Sequence, residues 1–325
     1  MKKSMMILWI VAASLIVAGI VLCVLGMALS TKTLHFGEAI KLFGKREVVT
    51  NEHVISEPIS GIDVAINTLD LTILPSTDGV TRVVCREELR EPCNVSVENG
   101  MLKIDIEPLK WYQNIHLFSW GERGVTVYLA ENELDTLTVN NSTSDIFVSS
   151  ELSFGSATVK NSTGKVEFGA SVRDALKITL STGDALVFSK SLGSAEIKGT
   201  TGDVSMCGVI AQTLTVRVST GEVDLSNVSC QSLSVKSSTG EQEYEDVRVA
   251  EAMALEASTG DISIENCTVG SAKITTDTGD VKGRFASEMI FFAKTNTGKV
   301  RVPQSTTGGA CEITTNTGKI IFEAP

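Results

Sequence analysis

Six acidic residues recur at a fixed spacing and could together bind metal ions. Each directly follows a glycine, and they are Asp184, Asp203, Glu222, Glu241, Asp261 and Asp280. Hard cations such as calcium prefer oxygen ligands, so a stack of these carboxylates could bridge cations. The alternative is a solvated row of like charges without a ligand, and no calcium-loop motif surrounds the acids. The sequence indicates no cofactor.

A second candidate site is the aromatic segment KWYQNIHLFSW, residues 110–120. It contains four large aromatic side chains, Trp111, Tyr112, Phe118 and Trp120. Such amphipathic side chains suit partner recognition or stacking on carbohydrate. The alternative is a loop that caps the N-terminal end of the repeat region.

Catalytic constellations do not emerge from the sequence. The histidines are His35, His53 and His116, and all precede the first regular repeat. The repeats therefore contain no His–Cys metal spacing and no Ser–His pair. The acids occupy equivalent positions, whereas paired catalytic carboxylates need unlike environments that separate their pKa values. We predict that the protein is not an enzyme, with a polysaccharide-active β-helix enzyme as the catalytic alternative.

The elements that must position these residues follow from a corner motif that recurs every 19 or 20 residues. In each copy a threonine precedes a glycine, and Thr143 precedes Ser144 in the same place one repeat earlier. The corner pairs are Thr163 and Gly164, Thr182 and Gly183, Thr201 and Gly202, Thr220 and Gly221, Thr239 and Gly240, Thr259 and Gly260, Thr278 and Gly279, Thr297 and Gly298, and Thr317 and Gly318. A fixed period of this size is typical of repeats that stack on their neighbours.

Apolar residues alternate with period two on both sides of each corner. Val204 and Met206 follow Gly202, for example, and Leu214 and Val216 precede the next corner. This pattern predicts half-buried strands, and glycine permits the positive φ of a tight turn between them. We predict two short strands per coil, followed by a variable loop of about six residues. The fold class is all-β, a right-handed parallel β-solenoid of about ten 19–20-residue coils with the corner threonines in one column.

The N-terminus predicts a membrane anchor. No charged residue occurs from Met5 to Leu29, a length that at about 1.5 Å per residue crosses the roughly 30 Å hydrocarbon core. A cleaved signal peptide is the alternative, because Gly26-Met27-Ala28 resembles a cleavage site. Long domains that follow such a segment are exported largely regardless of flanking charge. We expect a single-pass protein of the cell membrane with its body outside the cytoplasm.

Four segments are predicted in all. Residues 1–30 form the anchor, 31–54 a juxtamembrane linker, 55–140 an N-terminal β part with the aromatic cap, and 141–325 the regular solenoid. The formal net charge of −11 argues against binding of nucleic acid through its phosphates. Cys85 and Cys93 flank REELREP and could form a disulfide outside the cytoplasm, although sequence alone does not fix the geometry.

The sequence resembles the bacterial family of β-strand-repeat domains known as "putative adhesin". The resemblance lies in the STGD corners, SGIDVAINTLDLTI at Ser60, VENGMLKIDI at Val97 and VTVYLAENELDTLTV at Val125, and it covers residues 55–325. Ala130 stands where the family usually has proline, and Ser144 replaces the first corner glycine. The resemblance implies a β-solenoid at the cell envelope and no catalytic residue.

These observations together predict a non-enzymatic binding or scaffolding protein of the bacterial cell envelope. Its partner would be a cell-wall polymer or another envelope protein. The alternative is an accessory subunit of an envelope-stress or signalling system that contacts another membrane protein. Homotypic end-to-end stacking is a further possibility, because the last coil, GKIIFEAP, has no polar cap over its strand edges.

Overall fold

The described part of the chain is built from β-strands. The computed structural model describes residues 48–88, 92–106 and 123–325. Within these ranges we find no helix with the length and apolar character needed to cross a membrane. The predicted N-terminal anchor lies outside the described residues.

The strands fall into three sets. The strands before the regular repeats are β1 (Val48–Ile55), β2 (Gly61–Ile66), β3 (Asp70–Pro75), β4 (Thr81–Glu88), β5 (Cys93–Glu98), β6 (Met101–Ile106) and β7 (Gly124–Leu129). The long strands that end at a corner threonine are β8 (Glu133–Thr143), β10 (Ser153–Thr163), β12 (Ser171–Thr182), β14 (Leu192–Thr201), β16 (Ile210–Thr220), β18 (Ser229–Thr239), β20 (Arg248–Thr259), β23 (Met289–Thr297) and β25 (Gly309–Thr317). The short strands that follow a corner are β9 (Ile146–Val148), β11 (Val166–Phe168), β13 (Ala185–Val187), β15 (Val204–Cys207), β17 (Val223–Ser226), β19 (Gln242–Glu245), β22 (Val281–Phe285), β24 (Val300–Arg301) and β26 (Ile320–Glu323). Strand β21 (Ile262–Thr278) is both a short and a long strand, because it continues from one side of the coil to the other.

Successive coils stack in parallel, which confirms the predicted β-solenoid. The long strands pair with one another in one sheet and the short strands in a second sheet, over about nine turns. Inward side chains from both sheets fill the core, and Val204, Leu214 and Val216 are at most 1% exposed. The corner threonines pair in register from rung to rung and form the predicted column.

The corner glycines are required for two separate reasons. Gly221 has a φ of +143°, which side chains with a Cβ rarely adopt. A Cβ on Gly221 would also lie 2.0 Å from the carbonyl oxygen of Gly202 in the preceding rung. The N–H of Gly221 donates to the carbonyl of Thr239 in the following rung at 3.0 Å. The glycine column therefore joins each rung to both neighbours.

Ser144 occupies the first corner because the rung before it has a different turn. Its N–H donates to the carbonyl of Thr163 in the following rung at 3.0 Å, just as the N–H groups of the later corner glycines donate to threonine carbonyls. Its hydroxyl donates to the carbonyl of Leu69 at 2.6 Å. No glycine carbonyl precedes it in the stack, so the side chain has room.

The loops are shorter than predicted, because a second corner replaces most of each loop. Only Gly208 and Val209 separate β15 from β16. Successive rungs turn at a residue with a φ between +53° and +67°, and these residues are Gly208, Asn227, Asp246 and Asn266. Asn and Asp tolerate this left-handed conformation better than other side chains. The residue that follows points into the core, and Val209 is 0% exposed.

The order of rungs departs from chain order at the C-terminal end. Strand β25 pairs with β21 on one side and β23 on the other, and β26 likewise lies between β22 and β24. The rung with Thr317 therefore lies between the rung with Thr278 and the rung with Thr297. The prediction that GKIIFEAP forms the exposed end of the stack was wrong, because the outermost described rung consists of β23 and β24.

The N-terminal end departs from chain order in the same way. Strand β2 lies between β6 and β8, and β3 lies between β7 and β9. Beyond them, β1, β4 and β5 pair antiparallel with their neighbours. The regular parallel stack thus ends here in an antiparallel layer.

Substitutions of three glycines separate the two requirements on the corner. Gly221→Ala should lower the free energy of unfolding by about 3 kcal/mol or more, from left-handed strain together with the clash with Gly202. Gly208→Ala should cost about 1–2 kcal/mol, because its φ is +67° but nothing lies within 4 Å of the added Cβ. Gly199→Ala is the control, since its nearest contact would be 3.8 Å away, and it should be neutral or slightly stabilising. Denaturant unfolding measures the free energy of unfolding lost in each variant. Equal losses for Gly221→Ala and Gly199→Ala would contradict the stacked corner.

Thiol reactivity checks the burial of the repeat cysteines. Burial raises the pKa of Cys267 to about 11 and that of Cys311 to about 12, and the thiolate is the reactive form. Because Cys207 is exposed, native alkylation at neutral pH should modify it at least tenfold faster than Cys311, as followed by peptide mass spectrometry. In denaturant the two rates should converge. Equal native rates would mean that Cys311 does not lie in the core.

Candidate functional site

The six predicted acids lie in one row along the glycine corner, where several of them bond to the next rung. Asp184 Oδ1 accepts the backbone N–H of Asp203 at 3.0 Å, and Asp203 Oδ1 accepts that of Glu222 at 2.8 Å. Asp261 and Asp280 accept the N–H groups of the residues that follow them in the stack, each within 2.8 Å. The aspartates therefore satisfy backbone donors that the corner leaves unpaired.

The acidic row does not gather its carboxylates into a compact group. Within the ranges that the structure describes, one group of three metal-ligating side chains has its ligand atoms within 4.8 Å of one another, and it is Cys85, Glu87 and Cys93. The acids of the row are instead spread one per rung. Lys319 ends the row beside Asp280, with its ammonium 3.6 Å from the carboxylate.

The outer face of the long-strand sheet carries a strip of basic side chains. Five consecutive long strands each present at least one exposed cation, and the strip consists of Lys160, Lys177, Lys198, Arg217 and Lys236. Lys198, Arg217 and Lys236 lie directly opposite one another in the strand register. Lys160 lies in the same column, with Thr179 between it and Lys198, whereas Lys177 lies in the neighbouring column. The strip therefore spans two adjacent columns, with about 4.8 Å between rungs.

Glutamates hold part of this strip in place. Glu196 Oε1 lies 2.7 Å from Lys198 Nζ and 3.1 Å from Arg217 Nη1. Lys198 lowers the pKa of Glu196, with a smaller contribution from Arg217. Lys236 Nζ lies 2.6 Å from Glu256 Oε1. Exposed pairs contribute little to stability, but they orient long side chains across the face.

A shallow groove borders the same face where the long strands begin. Its lining includes Arg173, Gln212 and Gln231. Ile210, at the start of β16, is 60% exposed there. Hydrogen-bonding groups and an exposed apolar side chain therefore lie beside the basic strip.

The remaining predictions have mixed outcomes. Cys85 and Cys93 are free thiols, both buried and close together. The aromatic residues Trp111, Tyr112, Phe118 and Trp120 lie outside the described residues, so their predicted role stays a prediction.

A buried polar network inside the solenoid was not predicted. Tyr244 Oη donates to Gln242 Oε1 at 2.8 Å, and Gln242 Nε2 donates to Ser237 Oγ at 2.8 Å. These three side chains are at most 1% exposed, and burial raises the pKa of Tyr244. The sequence signal for this network was Gln242, a polar residue at an inward position that is apolar in most other rungs. Its bonds fix the register of this rung.

Comparison with known proteins identifies a matching family and solved structures with a similar fold. Residues 59–210 and 178–320 match the Toastrack DUF4097 family. No protein with a curated description matches the sequence. A solved structure from Parabacteroides distasonis named "putative adhesin" is similar, with a TM-score of 0.50 and 15% identity over 74% of this chain and 98% of that one.

Two further solved structures with the same name show weaker similarity. One from Parabacteroides merdae has a TM-score of 0.48 and 13% identity over 74% of this chain and 96% of its own. One from Bacteroides fragilis has a TM-score of 0.42 and 12% identity, covering 85% and 97% respectively. At 15% identity, the likeness to the Parabacteroides distasonis structure concerns the fold alone.

Asp203 distinguishes a structural role of the acidic row from cation binding. Asp203→Ala removes the acceptor for the Glu222 N–H and should cost about 1 kcal/mol of stability, whereas Asp203→Asn keeps an oxygen and should cost less. Glu241→Ala is the control, because within the described residues Glu241 accepts no such bond. Denaturant unfolding measures the free energy of unfolding of all three variants.

Calcium supplies the opposing test of the same row. If the acids act as hydrogen-bond acceptors only, millimolar calcium at low salt should leave the melting temperature of the full chain unchanged. A calcium-dependent rise that disappears in Asp203→Asn would instead assign the row to cation binding.

Proposed function

The chain belongs to the Toastrack DUF4097 family, and on that premise we propose that it is a binding module of the bacterial cell envelope. In this proposal an extended wall polymer lies along the outer face of the long-strand sheet. The observation that supports it most directly is the register of that face, where equivalent side chains recur once per rung. A linear polymer parallel to the solenoid axis would meet the same kind of group at regular intervals.

The chemistry of the face suits a polar polymer. Lysine, arginine, threonine and serine side chains supply hydrogen-bond donors to hydroxyl, carbonyl or phosphate oxygens. The ion pairs of Glu196 with Lys198 and Arg217 hold these long side chains in place before binding. Preorganisation lowers the entropy lost when a ligand binds. The groove with Arg173 and Gln212 widens the surface that a polymer chain could contact.

Location and the absence of catalysis are parts of the same proposal. The uncharged segment from Met5 to Leu29 would anchor the chain and leave its body outside the cytoplasm. The acids and cations occupy repeated positions, which suits binding along a length better than chemistry at one point. The name "putative adhesin" of the structural neighbour from Parabacteroides distasonis is compatible with such a role.

Reversal of charge at the centre of the strip tests the proposal. The double variant Lys198→Glu, Arg217→Glu should reduce co-sedimentation of the full chain with purified cell-wall material at least tenfold, since it removes two central donors and repels anionic groups. Lys282→Glu is the matched control, because Lys282 is exposed on the outer face of the short strand β22. Equal binding by the wild type and both variants would contradict the proposed surface.

Photo-crosslinking in cells separates this function from the accessory-subunit alternative. Cross-linkers would replace Thr215 on the long-strand face and Phe292 on the outermost rung. The proposal predicts attachment of wall polymer at Thr215. Attachment of one membrane protein at either position, without polymer, would make the chain an accessory subunit.

A second candidate function is self-association through the C-terminal end. In the described residues β23 pairs with β25 alone, so its other edge is open. Phe292 is 62% exposed and Val300 is 44% exposed on this outermost rung. Two copies could pair these edges about a two-fold axis, which closes the assembly at a dimer.

Sedimentation of the full chain tests the dimer directly. The wild type should show a concentration-dependent monomer–dimer equilibrium that Phe292→Lys shifts to monomer, because a charge would be placed in the contact. Ile210→Lys is the control, as another exposed apolar residue away from this end. A wild type that stays monomeric at high concentration would exclude the dimer.

A further inference from the structure

Three metal-ligating side chains meet in the core at the N-terminal end of the described structure. Cys85 and Glu87 project from the same face of β4, and Cys93 begins β5. Their exposed fractions are 0%, 3% and 6%. We propose that Cys85, Glu87 and Cys93 bind one divalent transition-metal ion, with zinc as the best match to the ligands. This goes beyond the proposed polymer binding and does not depend on it.

The ligand types and their separation fit such an ion. Zinc is bound by thiolates and by carboxylate oxygens, and soft thiolates select against calcium or magnesium. The three ligand atoms lie within 4.8 Å of one another. Sulfur atoms bound to zinc at 2.3 Å in a tetrahedral site lie about 3.8 Å apart. If the separations between the ligand atoms shorten by about an ångström, all three atoms can reach bonding distance of one zinc ion.

The buried carboxylate is held toward the thiols by neutral donors. Asn51 Nδ2 donates to Glu87 Oε1 at 2.6 Å, and the Cys93 backbone N–H donates to Glu87 Oε2. These bonds fix the orientation of the carboxylate, as outer-shell hydrogen bonds do in metal sites. Neither donor carries a charge, so neither neutralises a buried carboxylate. A bound cation would do so.

His53 offers a fourth ligand on the neighbouring strand. It lies opposite Val83 in the register of β1 and β4, and Asn51 lies opposite Cys85. His53 therefore shares the face of the sheet that carries Cys85. Its Nε2 atom is buried without a hydrogen-bond partner, which is rare in folded proteins. Coordination of the metal after a side-chain rotation would satisfy this nitrogen.

Metal binding in this site has a simple proton balance. Each thiol loses its proton as the metal–sulfur bond forms, while the carboxylate and the imidazole bind without losing one if His53 is neutral. About two protons are thus released per metal ion. No electrons are transferred. Disulfide formation between the same thiols would instead remove two electrons and prevent binding.

Cobalt and zinc titrations of the reduced, metal-free full chain test the proposal. We expect one cobalt ion per chain, a thiolate-to-cobalt charge-transfer band in the near ultraviolet, displacement of cobalt by zinc and release of about two protons. Cys85→Ser and Cys93→Ser should abolish the band. Glu87→Gln and His53→Ala should weaken cobalt binding at least tenfold. Cys230→Ser is the control, as another buried cysteine outside the group, and should bind as the wild type does.

Three results would overturn the proposal. One is a reduced wild-type chain, folded by circular dichroism, that gives no thiolate band with cobalt. Another is a band that survives in Cys93→Ser. The third is a Cys85–Cys93 disulfide in chains whose free thiols were alkylated before the cells were opened, which would assign the pair to a covalent link. Because the wild type alone decides the first and third results, variants that fail to fold do not obscure the outcome.

Discussion

The structure depends on one close contact, that between glycines of successive rungs. In each regular corner from Gly183 onward, a Cβ added to the glycine would clash with the carbonyl oxygen of a neighbouring glycine, and for Gly221 it would lie 2.0 Å from the Gly202 oxygen. Except at Gly298, in the outermost described rung, the N–H of the same glycine donates to a threonine carbonyl in the rung on its other side. This contact sets the spacing of the rungs, and the threonine column, the aspartate ladder and the rows on both sheets follow from it.

The period of the corner made the solenoid predictable, because strict spacing and alternation report local geometry that every repeat shares. The second corner was missed although the signal was present, since Gly208, Asn227, Asp246 and Asn266 recur with the same period. Chain-order reversal at the ends could not be predicted. The rungs of Gly298 and Gly318 carry the same corner, so the sequence permits either order of stacking and only long-range packing decides it.

The candidate surfaces were predicted unevenly for a related physical reason. The acidic row is visible in the sequence because it follows the corner directly, yet its hydrogen bonds to the next rung appear only in three dimensions. The basic strip was missed although its signal was present, because four of its five cations lie four residues before a corner glycine. Only Lys177, six residues before Gly183, lies in a neighbouring column. Glu87 stood out in the sequence only as one acid of REELREP, and its burial close to two thiols depends on how β4 and β5 are placed by their antiparallel partners.

The stacked glycine corner is tested most directly by hydrogen exchange at single-residue resolution in the native full chain. The account predicts strong protection of the amides of Gly202, Gly221 and Gly240, although each lies in a turn next to exposed threonines, because each donates to the neighbouring rung. The amide of Gly79, in the turn between β3 and β4, provides a reference for an ordinary exposed turn. Exchange of the corner glycines as fast as that of Gly79 would contradict the account, because the rungs would then not be joined through their corners.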